Sequence, residues 1–333
     1  MRFGIIGTNF VTDWFVKNGR QTENFSIGAV YSRTMSRAKE YGTPLGCTAF
    51  FDDLEAFVSF PGIDAVYIAS PHRCHKEQAL LALSHGKHVL IEKPAAMNAA
   101  DAREMLAAAK ANSRVIMEAM RPVHNPALSA IKQALPKIGD VRRALIFFNQ
   151  YSSRYDRFKA GDRTDMNAFD PALGNMALLD VGVYACALMT ALFGKPNSVH
   201  ADFITLENGF EAAGDLSLSY NGMLASVQYS KINNSKNRIE LQGERGSLLI
   251  GDVICLEDAV IEYDDGSCET VWPHTTGRDG DMVHEIRDFN ALAEGRADME
   301  PFWEITVSTI ELMDRAKRTS TAILKRSEDC TTN

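Results

Sequence analysis

The feature that most narrows the possible folds is a rhythm in the first third of the chain. Short, continuous apolar runs alternate there with helical patterns. The runs are Phe3–Ile6, Ser26–Tyr31, Phe50–Phe51, Ala65–Ala69, Val89–Ile91 and Val115–Met117. Helical patterns over 13–18, 36–41, 54–57, 75–85 and 99–111 separate them. Strands and helices in this alternation imply βαβ units and a parallel sheet. Runs without polar alternation suit strands buried on both faces.

After about residue 122 the pattern changes. Val141–Gln150 and Ser198–Thr205 read as long strands, and Asp215–Ser230 as two alternating runs around Asn221-Gly222, a strong hairpin signal. Gly243-Glu-Arg-Gly246 and Asp264-Asp-Gly266 suggest further hairpins. Closely linked strands pair antiparallel. Helices at 176–193, 281–294 and 304–317 accompany them. The expectation is therefore an α/β chain: a parallel-sheet domain over 1–122, then an α+β domain over 123–333 with a mostly antiparallel, open sheet. A length of 333 residues fits two such cores.

Composition excludes several function classes. A formal charge of −8 and no basic stripe argue against a nucleic-acid partner. Val181–Phe193, the longest apolar stretch near the middle, is too short and interrupted to span a bilayer, so no membrane partner is expected. Cys47, Cys74, Cys186, Cys255, Cys268 and Cys330 form no C-x-x-C pair, which reads as free thiols. The chain opens directly into a strand-like run, so a cytoplasmic location is expected. Disorder is expected only over Ser327–Asn333.

Gly7-Thr8-Asn9-Phe10-Val11-Thr12 lies between a strand and a helix, where a dinucleotide-binding turn belongs. A helix N-terminus there offers free N–H groups and partial positive charge to a pyrophosphate. Asn9 and Thr12 replace two glycines of the G-x-G-x-x-G pattern, and Asn9, tolerant of positive φ, is expected to hold the turn. The second strand ends Tyr31-Ser32-Arg33-Thr34 with no carboxylate to grip a ribose 2′-hydroxyl. Ser32 and Arg33 suit a 2′-phosphate instead, so NADP(H) is favoured and NAD(H) remains possible.

Two later segments add chemistry: Val89-Leu-Ile-Glu92-Lys93-Pro94 at a strand end, and Leu173-Gly-Asn-Met-Ala-Leu-Leu-Asp180-Val-Gly182-Val-Tyr184 opening a helix. With Gly7-Thr-Asn, Ala69-Ser70-Pro71-His72-Arg-Cys-His75 and Glu285-Ile-Arg-Asp288-Phe289, these resemble the glucose–fructose oxidoreductase / inositol dehydrogenase (Gfo/Idh/MocA) family. Tyr184, where inositol-dehydrogenase-like members carry histidine, resembles the dihydrodiol dehydrogenase branch. The chain departs from the pattern at Gly174-Asn-Met176, which replaces a glycine triplet, and at His72, where Asn is common.

The resemblance implies a Rossmann domain and NAD(P)-dependent redox chemistry on sugars, polyols or related diols. It also implies a second domain whose open sheet serves in assembly, as a homodimer or homotetramer. Lys93 matches the catalytic lysine, with Asp180 and Tyr184 at the other polar catalytic positions. Ser70, Pro71, His72, His75, Glu92, Lys93 and Pro94 join Gly7, Thr8, Asn9, Phe10, Ser32 and Arg33 on the cofactor side. The alternative is an NADP-binding regulatory or partner protein without turnover, since fold alone does not decide function.

Asp180 and Tyr184, at i and i+4, share a helix face. Tyr184 or Lys93 is expected to move the alcohol proton, Lys93 to orient and favour phenol ionisation, and Asp180 to hold the substrate hydroxyl. His72-x-x-His75 and His85-x-x-His88 raise zinc, but no further ligand pair completes a set, so no metal is expected. Arg154, Tyr155 and Lys159 read either as a substrate-pocket lining or as a solvated loop, with the loop preferred.

Overall fold

The computed structural model describes residues 1–164, 167–275 and 277–324. Ser327–Asn333 and Cys330 lie outside the described residues.

Strands β1 (Arg2–Ile6), β2 (Ser26–Tyr31), β3 (Phe50–Phe51), β4 (Ala65–Ile68), β5 (His88–Glu92) and β6 (Ile116–Ala119) form one parallel sheet. Its order is β3-β2-β1-β4-β5-β6, the doubly wound Rossmann arrangement. Helices α1 (Phe10–Gly19), α2 (Met35–Gly42), α3 (Leu54–Ser59), α4 (His75–Ser84) and α5 (Ala99–Ala111) connect the strands. Each residue of β4, Ala-Val-Tyr-Ile, is buried, as an unbroken apolar run between two helical layers requires. Side-chain oxygens of Asn9, Thr34, Asp53 and Asn98 cap α1, α2, α3 and α5 and set where those helices begin. The order reverses between β1 and β4, the crevice where such sheets bind ligands.

The short helices α6 (Arg121–His124) and α7 (Pro126–Ala134) lead into β7 (Val141–Asn149). Then follow α8 (Tyr155–Lys159), α9 (Val183–Phe193), β8 (Ser198–Thr205), β9 (Glu211–Tyr220), β10 (Met223–Ser230), β11 (Arg238–Gly243), β12 (Gly246–Ile250), β13 (Ala259–Tyr263) and β14 (Cys268–Trp272). Helices α10 (Met282–Ala293) and α11 (Glu300–Thr319) and strand β15 (Ser320–Leu324) complete the order. The second sheet runs β14-β13-β12-β11-β7-β10-β9-β8-β15. Gly222, at φ +75°, makes the β9–β10 turn that Asn221-Gly222 announces.

The sheet is mostly antiparallel, with two departures. β7 pairs parallel with β10, and β15 pairs parallel with β8. Hairpin signals report only strands adjacent in sequence, so neither long-range pairing carries a local mark. Alternation along β8 turns His200, Asp202 and Ile204 outward, leaving one face of the sheet open.

The late helices do more than accompany the second sheet. Ile286, Phe289 and Leu292 of α10 join Phe3 and Phe15 in one apolar cluster against the first sheet. Trp303 of α11 donates its Nε1–H to Ala102 O at 3.2 Å. The five described cysteines are free, and no described helix is long and apolar enough to cross a membrane.

Candidate active site

The first turn is built around Gly7, at φ +106°. A Cβ there would lie 2.3 Å from Ala69 O, so only glycine lets the ends of β1 and β4 come this close. A ligand crossing the two strand ends would meet backbone rather than side chain. Asn9 does not use positive φ as expected: it is extended, at φ −127°. Its Oδ1 accepts from Val11 N and Thr12 N while Nδ2 donates to Ala69 O at 2.8 Å. Asparagine thus serves as the N-cap and as a tie between the two strand ends, turned inward instead of toward a phosphate. Thr12, buried where the pattern has its third glycine, donates to Gly7 O at 2.7 Å. Phe10 stands exposed beside it.

Ser32 is half-buried and Arg33 exposed at the end of β2. Sequence reading missed Arg37 beside them. It donates through Nε to Thr8 Oγ1 at 3.0 Å and through Nη2 to Thr8 O at 2.9 Å. Its signal was available: four residues after Arg33, it falls in the first turn of α2, the helix capped by Thr34.

At the end of β4, Ser70 Oγ donates to Gln78 Oε1 at 2.6 Å, Pro71 is exposed and His72 is half-buried. Burial, with His75 and Lys93 nearby, pushes the His72 ring down to about 3, so it stays neutral. His75 is fully buried. Its Nδ1 lies 2.9 Å from Pro94 O and its Nε2 2.9 Å from Ser70 O. The ring therefore joins the turns after β4 and β5 rather than facing a ligand. Glu118 assists: its Oε1 accepts from Ala95 N at 2.8 Å, and its Oε2 from Thr306 Oγ1 at 2.8 Å. The Glu92 carboxylate is likewise turned inward, accepting from Tyr67 OH at 2.6 Å, and burial raises its pKa.

From this fixed turn Lys93 reaches across to the second half of the chain. Its Nζ donates to Asp180 O at 2.7 Å and to Asp180 Oδ1 at 3.0 Å, and stands 4.9 Å from the Tyr184 ring centroid. Burial alone would weaken the ammonium, yet Tyr184, Asp180 and Glu92 hold it above its usual pKa. The other carboxylate oxygen, Asp180 Oδ2, accepts from Lys231 Nζ at 2.6 Å. Burial works against the Asp180 anion, but the two ammonium groups outweigh it and keep the carboxyl well below its usual range. Lys93, Lys231 and Asp180 together carry two positive charges and one negative.

Lys231 is the second residue that sequence reading missed. It is buried just beyond β10, bonds Ala168 O at 3.2 Å, and lies 5.2 Å from the Phe169 ring centroid and 5.6 Å from that of Phe210. No motif marks it; it enters the site because β10 packs against the π turn that carries Asp180.

Asp180 sits in a π-helical turn, Leu178–Gly182, which passes directly into α9. Such turns are common at functional sites, and a plain i, i+4 face does not describe this one. Gly182 makes the close approach possible: a Cβ there would lie 3.0 Å from Tyr229 Cδ1 on β10. Tyr184 is buried, packed edge-on against Phe148 at 5.7 Å between centroids. Lys93 and Arg121 pull its phenol toward ionisation as expected, but burial wins and its pKa is raised.

Of the histidines considered for zinc, His75, His85 and His88 have other partners, whereas His72 Nδ1 has no hydrogen-bond partner among the described residues. His85 Nε2 lies 2.8 Å from Glu55 Oε1, and His88 Nδ1 accepts from Val115 N at 3.0 Å. Arg154 and Lys159 are exposed, whereas Tyr155 packs with Phe158 and Phe169.

Residues 1–120 match the model of an oxidoreductase family with an NAD-binding Rossmann fold, and residues 133–249 match the GFO/IDH/MocA C-terminal domain. The chain is 41% identical over 320 residues to scyllo-inositol 2-dehydrogenase (NADP(+)) IolU of Bacillus subtilis, covering 96% of each. It is 28% identical over 291 residues to mouse trans-1,2-dihydrobenzene-1,2-diol dehydrogenase, covering 85% of this chain and 84% of that one. Among solved structures, KijD10, a 3-ketoreductase from Actinomadura kijaniata in complex with NADP and TDP-benzene, superposes with a TM-score of 0.86. At 22% identity, over 98% of this chain and 99% of that one, this is a likeness of fold.

Proposed function

The chain belongs to the Gfo/Idh/MocA family, an NAD(P)-dependent oxidoreductase acting on polyol or sugar-like substrates, and on that premise we propose that Lys93, Asp180 and Tyr184 are its catalytic group. The observation that carries this reading is the convergence of Lys93 Nζ on both Asp180 and the Tyr184 ring.

Residues 1–122 hold the dinucleotide and residues 123–333 the substrate side. Gly7, Thr8, Asn9 and Phe10 form the pyrophosphate turn, with Ser70, Pro71, His72, Glu92, Lys93 and Pro94 along the neighbouring strand ends. His75 fixes two of those turns to each other. Ser32, Arg33 and Arg37 recognise a 2′-phosphate, which makes NADP(H) the preferred cofactor; the NADP-dependent relative supports this. When bound, the nicotinamide supplies or accepts the hydride.

Tyr184 Oη exchanges the proton with the substrate oxygen. A raised phenol pKa keeps it protonated at neutral pH, so it is ready to donate to an oxygen gaining negative charge during carbonyl reduction. Lys93 lies against that oxygen as a fixed positive charge. Each Asp180 oxygen accepts from an ammonium and keeps a second lone pair, on which the carboxylate can hold the substrate hydroxyl. We assign it also to holding Lys93 and Lys231 in place. The likeness to an inositol dehydrogenase puts inositols first among candidate substrates. We propose a cytoplasmic location and assembly as a homodimer or homotetramer through the open sheet face, where Leu224 and Ile204 stand exposed.

The test is NADP-linked turnover over inositols, other polyols, sugars and diketones, repeated with Lys93→Ala and Tyr184→Phe. Each substitution should lower kcat by about 10²- to 10⁴-fold. Turnover within a few-fold of the wild type for both would refute the assignment.

A further inference from the structure

Glu211, on β9, is a buried carboxylate that the reaction as described does not use. Its Oε2 accepts from Leu178 N at 2.9 Å, and Ala177 N also faces it. These are the first N–H groups of the helical run that carries Asp180 in its π turn and Tyr184 in α9. Oε1 has no hydrogen-bond partner among the described residues. The titratable groups facing the carboxyl are Tyr229 and Lys231, both from β10 or just beyond it. Glu211 thus touches the site twice. It grips the start of the helix bearing the anion and the phenol, and it faces the ammonium that bonds that anion.

We propose that Glu211 is a positioning residue, whose ionised carboxylate anchors the Asp180–Tyr184 helix and steadies Lys231 so that the catalytic groups keep their register. The inference rests on the assignment of Asp180 and Tyr184 given above. A charged cap attracts the helix N-terminus more strongly than a neutral one. A carboxylate and an amide differ in charge while both can accept from Leu178 N.

Burial raises the Glu211 pKa to about 7, with the Ala177 and Leu178 N–H groups, Tyr229 and Lys231 pulling the other way. The cap therefore titrates near neutral pH. A carboxyl whose folded pKa lies above its usual 4.5 binds more protons folded than unfolded between those values. Its contribution to stability accordingly falls as pH rises toward 7. The ionised form costs the fold something, and a neutral isostere restores it. A purely structural residue would show no matching gain in turnover from ionisation.

The experiment measures kcat against pH, KM for the cofactor and Tm for the wild type, Glu211→Gln, Glu211→Ala and Tyr184→Phe. In the wild type, kcat should drop as pH falls through about 7. Glu211→Gln should lack that inflection and stay about 5- to 30-fold below the wild-type plateau, with cofactor KM unchanged and Tm above pH 7 equal or higher. Glu211→Ala, which removes the acceptor as well, should lose more. If Glu211→Gln keeps the wild-type inflection and kcat, the inference is overturned, whether or not the alanine variant folds. If Tyr184→Phe is itself fully active, the catalytic assignment falls and takes this inference with it. A crippled Tyr184→Phe beside a wild-type-like Glu211→Gln sinks the role of Glu211 alone.

Discussion

The two sides of the site are held in place by different means. Lys93 leaves the turn at the C-terminal end of β5, and that turn is pinned by side chains of the same domain: Pro94 O by His75 and Ala95 N by Glu118. Asp180 and Tyr184 ride on a helix fixed mainly by side chains from distant strands. Glu211 lies 33 residues from the N–H it caps, and Lys231 lies 51 residues from the carboxylate it bonds. Strand ends in a buried sheet are rigid because ladder and turn hydrogen bonds leave few alternatives. A helix docked by a handful of long-range polar contacts is as accurate as those contacts. Single side-chain changes on the second side should therefore damage chemistry, and changes on the first side, Lys93 itself apart, should chiefly damage cofactor recognition.

The sharpest way to break this contrast is Lys231→Met. It leaves Asp180 with one ammonium instead of two and removes one positive charge from the site. Loss of one preorganised charged donor costs on the order of 10²-fold in turnover. We expect kcat to fall by about that factor while the KM for NADP(H) moves little, as measured by steady-state kinetics at saturating substrate. An unchanged kcat would mean that Lys93 alone sets the field, and that the second side contributes position but no charge.

On the first side, Arg33→Ala combined with Arg37→Ala should act on the cofactor. Charged hydrogen bonds contribute about 1.5–3 kcal/mol each, and solvent screening at the exposed Arg33 reduces its share. The double variant should raise KM for NADP(H) by roughly 10-fold. Neither KM for NAD(H) nor kcat should follow. Equal losses with both cofactors would show that Arg37 supports the Thr8 turn through its two hydrogen bonds and reads no phosphate.

The same contrast explains what the sequence disclosed. The first sheet was legible strand by strand, because burial on both faces writes itself as unbroken apolar runs and the helix caps are local. Lys93, Asp180 and Tyr184 were legible as a resemblance of motifs, and their convergence follows only from the fold. Lys231 and Glu211 left no trace, since each acts through a partner dozens of residues away. The β7–β10 and β8–β15 pairings were hidden for the same reason. Asn9 was misjudged because a glycine position in a motif suggests positive φ, when the side chain had a cap to make. The π turn at Asp180 was invisible because hydrophobic periodicity does not separate one helical pitch from another over five residues.

Gly182 gives the smallest expected effect and the finest test of how the second side is built. A Cβ there would sit 3.0 Å from Cδ1 and Cγ of Tyr229 and 3.1 Å from Leu178 Cδ1, all side-chain atoms. Each must yield by a few tenths of an ångström, but none is backbone, so the helix can stay docked with a strained interface. Overpacking of this kind costs about 1–3 kcal/mol, which for a chain of this size lowers Tm by a few degrees. Gly182→Ala should therefore fold, with Tm reduced by about 2–8 °C. Its kcat should fall more than its KM for NADP(H) rises, because the displaced segment carries Asp180 and Tyr184 and no part of the dinucleotide crevice. The Tyr229 ring also faces Glu211, so a shift of that ring would reach the helix cap as well. Loss of NADP(H) affinity with kcat intact would contradict the division: it would mean that a helix docked on the second sheet positions the cofactor rather than the proton-transfer groups.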